Sequence, residues 1–267
     1  MTTQLKINRQ PLEITWEPLP AGFKLEDEPV ENNGQPLIAG ALRESLEIAQ
    51  RIQPQMLIAT NFGLCATVNG ELVIKAPDWL YVPSVREQLA ARNSYTPNLE
   101  GDLPLIVMEF LSETEGGEYS VKPTYPPGKW FFYEQILQVP IYVIFEPKAG
   151  LLELYRLQNG KYELEQPDEN GRHWLPEIDL YLGTWKGTKT DRSGYWLRWW
   201  HQSSAILPWA VEQIEAERQR AEQESQRAEQ ESQRAEQESQ RADREREEKE
   251  KLIAYLRAKG LDPNDLT

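Results

Sequence analysis

The sequence predicts an α/β protein of the α+β kind: a mixed β-sheet flanked by helices, with a long charged helix at the C-terminal end. Three observations carry this expectation. Apolar residues recur at helical spacing between Pro36 and Ile52. Short β-type runs follow, two pairs of them joined by Asn-Gly and one run almost wholly apolar. From Ala221 the segment AEQESQR then repeats with a period of seven. The implied organisation is an N-terminal arm over residues 1–35, a globular domain over 36–210 and a heptad-repeat helix over 211–267, a candidate coiled coil.

Each element has its own sequence basis. Ile38, Leu42, Leu46, Ala49 and Ile52 are spaced by three and four residues, the pattern of an amphipathic helix. Pro54 follows as a stop. MLIAT and FGLCATV read as strands, and Asn69-Gly70 joins the second to ELVIKAPDWLYV as a hairpin. That reading places Asp78 on, or at the end of, a hairpin strand. A short helix is expected near Arg86–Arg92. Leu103–Leu111 is apolar except for Glu109, as in a buried central strand. Lys129–Gln138 reads as a helix and Val139–Pro147 as a second buried strand. Asn159-Gly160 marks another hairpin. Six tryptophans fall between residues 172 and 209. They suit stacking on bases, but completing the core is the better reading.

In the repeat, Ala221, Ala228, Ala235 and Ala242 alternate with Ser225, Ser232 and Ser239 at the two seam positions of a heptad. Small side chains bury little area. A solvated single helix and a weakly self-associating one are both open, and the second would make a homo-oligomer. Gly260 is the expected helix stop.

Composition bounds the function. Net charge is −14, divided as −9 before residue 211 and −5 after it. Nucleic-acid affinity rests on neutralising phosphates, so this balance argues against a general basic binding surface. It leaves a local basic patch or a metal-bridged contact open. Cys65 is the one cysteine, so no disulfide framework exists. No run reaches the roughly 18 apolar residues of a membrane span. A soluble, cytoplasmic protein without membrane partners is expected.

Two acids interrupt apolar strand runs: Asp78 in KAPDWLYVP and Glu109 in LIVMEFL. A carboxylate in such a setting is costly unless paired or bound to a cation. Two strands of one sheet could bring both to one hard metal ion, which typically takes one or two carboxylates and keeps several waters. Alternatively, Asp78 caps a strand end after Pro77 and Glu109 pairs with a nearby cation.

Pro77-Asp78, then LIVMEFLS ending at Ser112, then Lys129 with Tyr133 four residues later, then QVPIYVIFEP form an ordered set. This set resembles the Uma-type family of restriction-endonuclease-like proteins within the PD-(D/E)XK nuclease superfamily. WLRWWHQSSAILPW extends the likeness, which covers roughly residues 36–210. The resemblance implies a restriction-endonuclease-like fold, a magnesium- or manganese-dependent endonuclease activity and DNA as substrate. It implies Asp78 and Glu109 as metal ligands, with the Phe110 carbonyl as a further one. The superfamily places a lysine two residues after the second acid, and here that position is Leu111. The family's shift of this lysine to the next helix makes Lys129 the catalytic candidate, with Lys122 as runner-up. An acid from the first helix is common in the superfamily, and Glu44 and Glu47 are the candidates. His173 and His201 lack metal-ligand spacing and are expected to be structural. Cys65 is expected to pack in a strand.

Overall fold

The computed structural model describes residues 12–18, 34–88, 92–111 and 117–259. The chain forms two compact units, Met1–Ala210 and Val211–Thr267. Among the described residues, the first is a mixed α+β unit of three sheets and two helices. The described residues of the second form one long helix.

Strand β1 (Ile14–Thr15) precedes helix α1 (Gly34–Ile48), which starts two residues before the expected Pro36 and stops short of Ile52. Gln50, just beyond its end, takes a positive φ of 55°, so the helical path is lost there although Ala49 and Ile52 still pack on the core. Next come β2 (Leu57–Ala59), β3 (Gly63–Val68), β4 (Glu71–Lys75), β5 (Trp79–Val82), β6 (Ser94–Tyr95) and β7 (Ile106–Phe110). Helix α2 (Lys129–Phe131) runs on as a π-helical segment, Phe132–Leu137. Then follow β8 (Ile141–Glu146), β9 (Leu151–Gln158), β10 (Lys161–Leu164), β11 (Arg172–Leu175), β12 (Leu180–Lys189), β13 (Arg192–Trp200) and α3 (Ala210–Ala258).

The central sheet has the order β10-β9-β8-β7-β5-β2. Its one parallel pair is β7–β8, registered Glu109 against Ile144. Parallel neighbours need a crossover, and that crossover carries α2 across one face. A second sheet runs β1-β3-β4, with β6 joining β3 in parallel, and a third runs β11-β12-β13. Both Asn-Gly turns form as expected. Asn69 and Gly70 have φ of 52° and 81°, and Asn159 and Gly160 have 50° and 75°, the left-handed pair that tight hairpins require.

Asp78 is not on the β3–β4 hairpin. The β4 ladder ends at Lys75, and Pro77, which lacks an N–H, cannot extend it. The chain passes into the central sheet, where Asp78 directly precedes β5. Arg86–Gln88 are not helical, and the rest of the helix expected near Arg86–Arg92 is only partly described. Strands β11–β13 were not anticipated from the sequence, although the tryptophans there do complete the core. Trp196, Trp199 and Trp209 are fully buried. The Trp199 and Trp209 indoles donate to the Leu42 and Ala41 carbonyls of α1 at 3.1 and 3.2 Å.

Strand alternation gives the central sheet two apolar faces. Ile106, Met108 and Phe110 join α1 and Trp199 on one face. Val107 joins Leu80, Tyr142 and the helical Phe132, Tyr133 and Ile136 on the other. Burying an apolar side chain of this size is worth roughly 1.5–3 kcal/mol, which holds the sheet between its two layers. Glu109 shares the parity of Val107, and Asp78 that of Leu80. Both acids therefore face the layer that holds α2.

In α3 no residue is buried. The expected stop at Gly260 lies outside the described residues. Among the described residues, no helix is long and apolar enough to cross a membrane.

Candidate active site

Glu109 is the centre of the site. It is 0% exposed on the central strand β7. A charge placed there must be answered by neighbours, and α2 supplies two of them. Lys129 Nζ donates to Glu109 Oε2 at 3.1 Å, and the Tyr133 hydroxyl donates to Oε1 at 2.9 Å. Residues four apart share one face of a helix, so the Lys129–Tyr133 spacing brings both donors to one carboxylate. A lysine in the first turn opposes the helix dipole. Here the acid beneath it compensates.

Asp78 reaches the same place from the neighbouring strand. The β5–β7 ladder is registered Trp79 to Met108, so Asp78 and Glu109 stand one step beyond its last pair. Asp78 Oδ2 accepts the Phe110 N–H at 2.5 Å. The carboxylate is thereby tied to the end of the strand that carries Glu109.

Electrostatics follow from this crowding. Burial pushes Glu109 up to about 8, with the nearby Asp78 charge adding to the rise and Lys129 opposing it. For Lys129, burial would lower the pKa, but the charges of Glu109 and Asp78 outweigh it and hold the ammonium well above its ordinary value. Burial, together with Glu109, also keeps the Tyr133 hydroxyl protonated and a donor.

Two residues at the site were not anticipated. Glu118 is 2% exposed, with Oε1 at 3.8 Å from Lys129 Nζ. Gln35, in the first turn of α1, donates its amide to the Phe110 carbonyl at 2.5 Å. The carbonyl expected as a metal ligand therefore has the Gln35 side chain beside it.

Glu44 and Glu47 are elsewhere. Glu44 pairs with Lys189 at 2.7 Å and accepts the Ala210 N–H at 2.8 Å. Glu47 pairs with Arg43 at 2.9 Å. Only the first turn of α1 meets the site, and Glu44 lies about 13 Å further along the axis at 1.5 Å per residue. Lys122 is exposed; its backbone carbonyl receives the Gly128 N–H. Leu111 is half-buried and hydrogen-bonds through its backbone to Phe145. Ser112 lies outside the described residues. His173 is buried against Glu165 at 3.1 Å, His201 is half-buried, and Cys65 is buried in β3.

Among the described residues, no three His, Cys, Asp or Glu side chains gather as a metal cluster. The two carboxylates are near enough for the Asp78 charge to raise Glu109, and the Phe110 carbonyl beside Glu109 in the chain accepts the Gln35 amide. An all-oxygen set in which the buried Glu109 stands beside the half-buried Asp78 fits a small hard cation that retains waters. The histidines and the cysteine take no part, so a softer metal does not fit.

Residues 29–187 match the model of the Uma2 family, described as "Putative restriction endonuclease". No curated protein matches the chain.

Proposed function

The chain belongs to the Uma2 family, and from that premise we propose a divalent-metal-dependent endonuclease of the PD-(D/E)XK type that hydrolyses DNA phosphodiester bonds. The observation that carries this reading is the buried Glu109 carboxylate, held by Lys129 and Tyr133 beside Asp78. Asp78 and Glu109 would hold magnesium or manganese. When bound, such an ion supplies an acidified water and positive charge for the phosphate.

The chain's own residues do the remaining work. Tyr133 fixes the Glu109 rotamer through one oxygen. The Phe110 N–H fixes Asp78. Lys129, cationic throughout the neutral range, faces the developing negative charge on the phosphate. Loss of one such donor typically costs about 10²–10³ in rate. Leu111 cannot serve in this role, and Lys129 takes it from α2.

The test is plasmid nicking with added magnesium or manganese. Asp78→Asn and Glu109→Gln are each expected to abolish nicking, and Lys129→Met to slow it about a hundredfold or more. Nicking that survives both acid substitutions rules out this site.

A second reading has its own support. The net charge of −14 and the exposed 49-residue helix favour a catalytically inactive scaffold that recruits partners through α3. Calorimetric titration with manganese separates the two: a scaffold without a metal site gives no binding heat.

A further inference from the structure

We propose that Glu118 is a positioning residue that receives the Lys129 ammonium when a divalent cation occupies Glu109. The inference rests on the metal reading above and adds a named partner for the displaced lysine.

Lys129 Nζ stands between two carboxylates, at 3.1 Å from Glu109 Oε2 and 3.8 Å from Glu118 Oε1. A cation bound to Glu109 competes with the ammonium for that oxygen and repels it. The ammonium has three donors and no acceptor, and its side chain is only 20% exposed. It must find another anion close by. Glu118 Oε1 is within ion-pair range but beyond hydrogen-bond range. Glu118 Oε2 is buried and, among the described residues, has no hydrogen-bond partner. Such a group is costly to leave unsatisfied, and it has accepting capacity to spare. Charge-assisted contacts form near 2.7–2.9 Å, so a shift of about 1 Å by the lysine tip completes the exchange.

The backbone holds Glu118 in place for this. The Tyr142 hydroxyl donates to its carbonyl at 2.9 Å. Its turn closes with Ser120 N–H on the Gly117 carbonyl, and the Ser120 carbonyl receives the Phe131 N–H of α2. Gly128 presses directly on Ser120 with no room for a Cβ. Glu118 and Lys129 thus belong to one packed piece, and the lysine can change partner without moving its helix.

The experiment is manganese titration calorimetry on the full chain, as wild type, Glu118→Gln, Lys129→Met and the double variant. Glu118→Gln is expected to weaken manganese about tenfold, because the displaced ammonium has lost its acceptor. In the Lys129→Met background the same change is expected to alter Kd less than twofold. Glu118→Asp should recover part of the affinity. Equal weakening in both backgrounds would make Glu118 a metal ligand and overturn the proposal. An unchanged Kd in both would reduce Glu118 to a structural role and overturn it too. A wild type that binds no manganese overturns the proposal together with the metal reading. Wild-type binding without plasmid nicking overturns the nuclease reading alone.

Discussion

Glu109 has two demands on it, burial and a neighbouring negative charge, and both favour its protonated form. Its pKa, pushed up to about 8, brings proton uptake into competition with cation binding near neutral pH. A divalent cation needs the carboxylate and must expel that proton. The sign is therefore definite: manganese affinity rises with pH until about 8 and levels off above it. Calorimetry in buffers of different ionisation enthalpy should register proton release at pH 7, and an affinity that is flat below 8 would contradict the assignment. Residue-level legibility was uneven for a physical reason. Asp78 and Glu109 were visible because a charge is out of place in an apolar strand. Glu118 was not, because an acid in a Gly-containing loop is ordinary; only the fold buries it. Gln35 was hidden for the opposite reason, being uncharged and at the edge of a helix expected to begin later.

At the element scale, the site depends on how α2 is fastened. Gly128 precedes Lys129 and takes an ordinary extended conformation, with φ of −69°, so its requirement is space and not backbone freedom. A Cβ there would collide with the Ser120 carbonyl and hydroxyl. Overpacking of this kind typically costs about 1–3 kcal/mol. Gly128→Ala should lower the unfolding temperature by a few degrees and, by separating the 117–120 turn from α2, weaken manganese binding as well. A variant with unchanged stability and affinity would show that this packing is unimportant. The same scale explains which elements were readable. The Asn-Gly turns announced two hairpins, and periodicity announced α1. The β12–β13 hairpin turns at Thr190-Asp191, where Thr190 takes a φ of 53° without the residues that usually mark such a turn. Asp78 was assigned to the wrong strand because a break at Pro77 does not by itself reveal a change of sheet.

For the molecule as a whole, the heptads of α3 bear directly on self-association. Val211 and Ile214 begin the seam, and Ile253 and Leu256 end it in the same register as the alanines and serines between them. Arg218, Arg246 and Lys249 interrupt it. Both flanks are acidic along most of its length: Glu215, Glu222, Glu229 and Glu236 on one side, Glu217, Glu224, Glu231 and Glu238 on the other. Flanking charges set partner choice in coiled coils, and either parallel or antiparallel self-pairing would set glutamate against glutamate. The small seam residues bury too little area to offset that. Within the helix, Arg241–Glu245 at 2.9 Å and Lys251–Glu247 at 3.6 Å are exposed pairs of the kind that support a lone helix by a few tenths of a kcal/mol. The full chain is therefore expected to sediment as a monomer at neutral pH and low salt, with the helical signal of α3 retained in circular dichroism. Raising the salt concentration screens this repulsion, and any self-association should emerge there first. A concentration-dependent dimer at neutral pH would show instead that the apolar ends of the seam outweigh its acidic flanks.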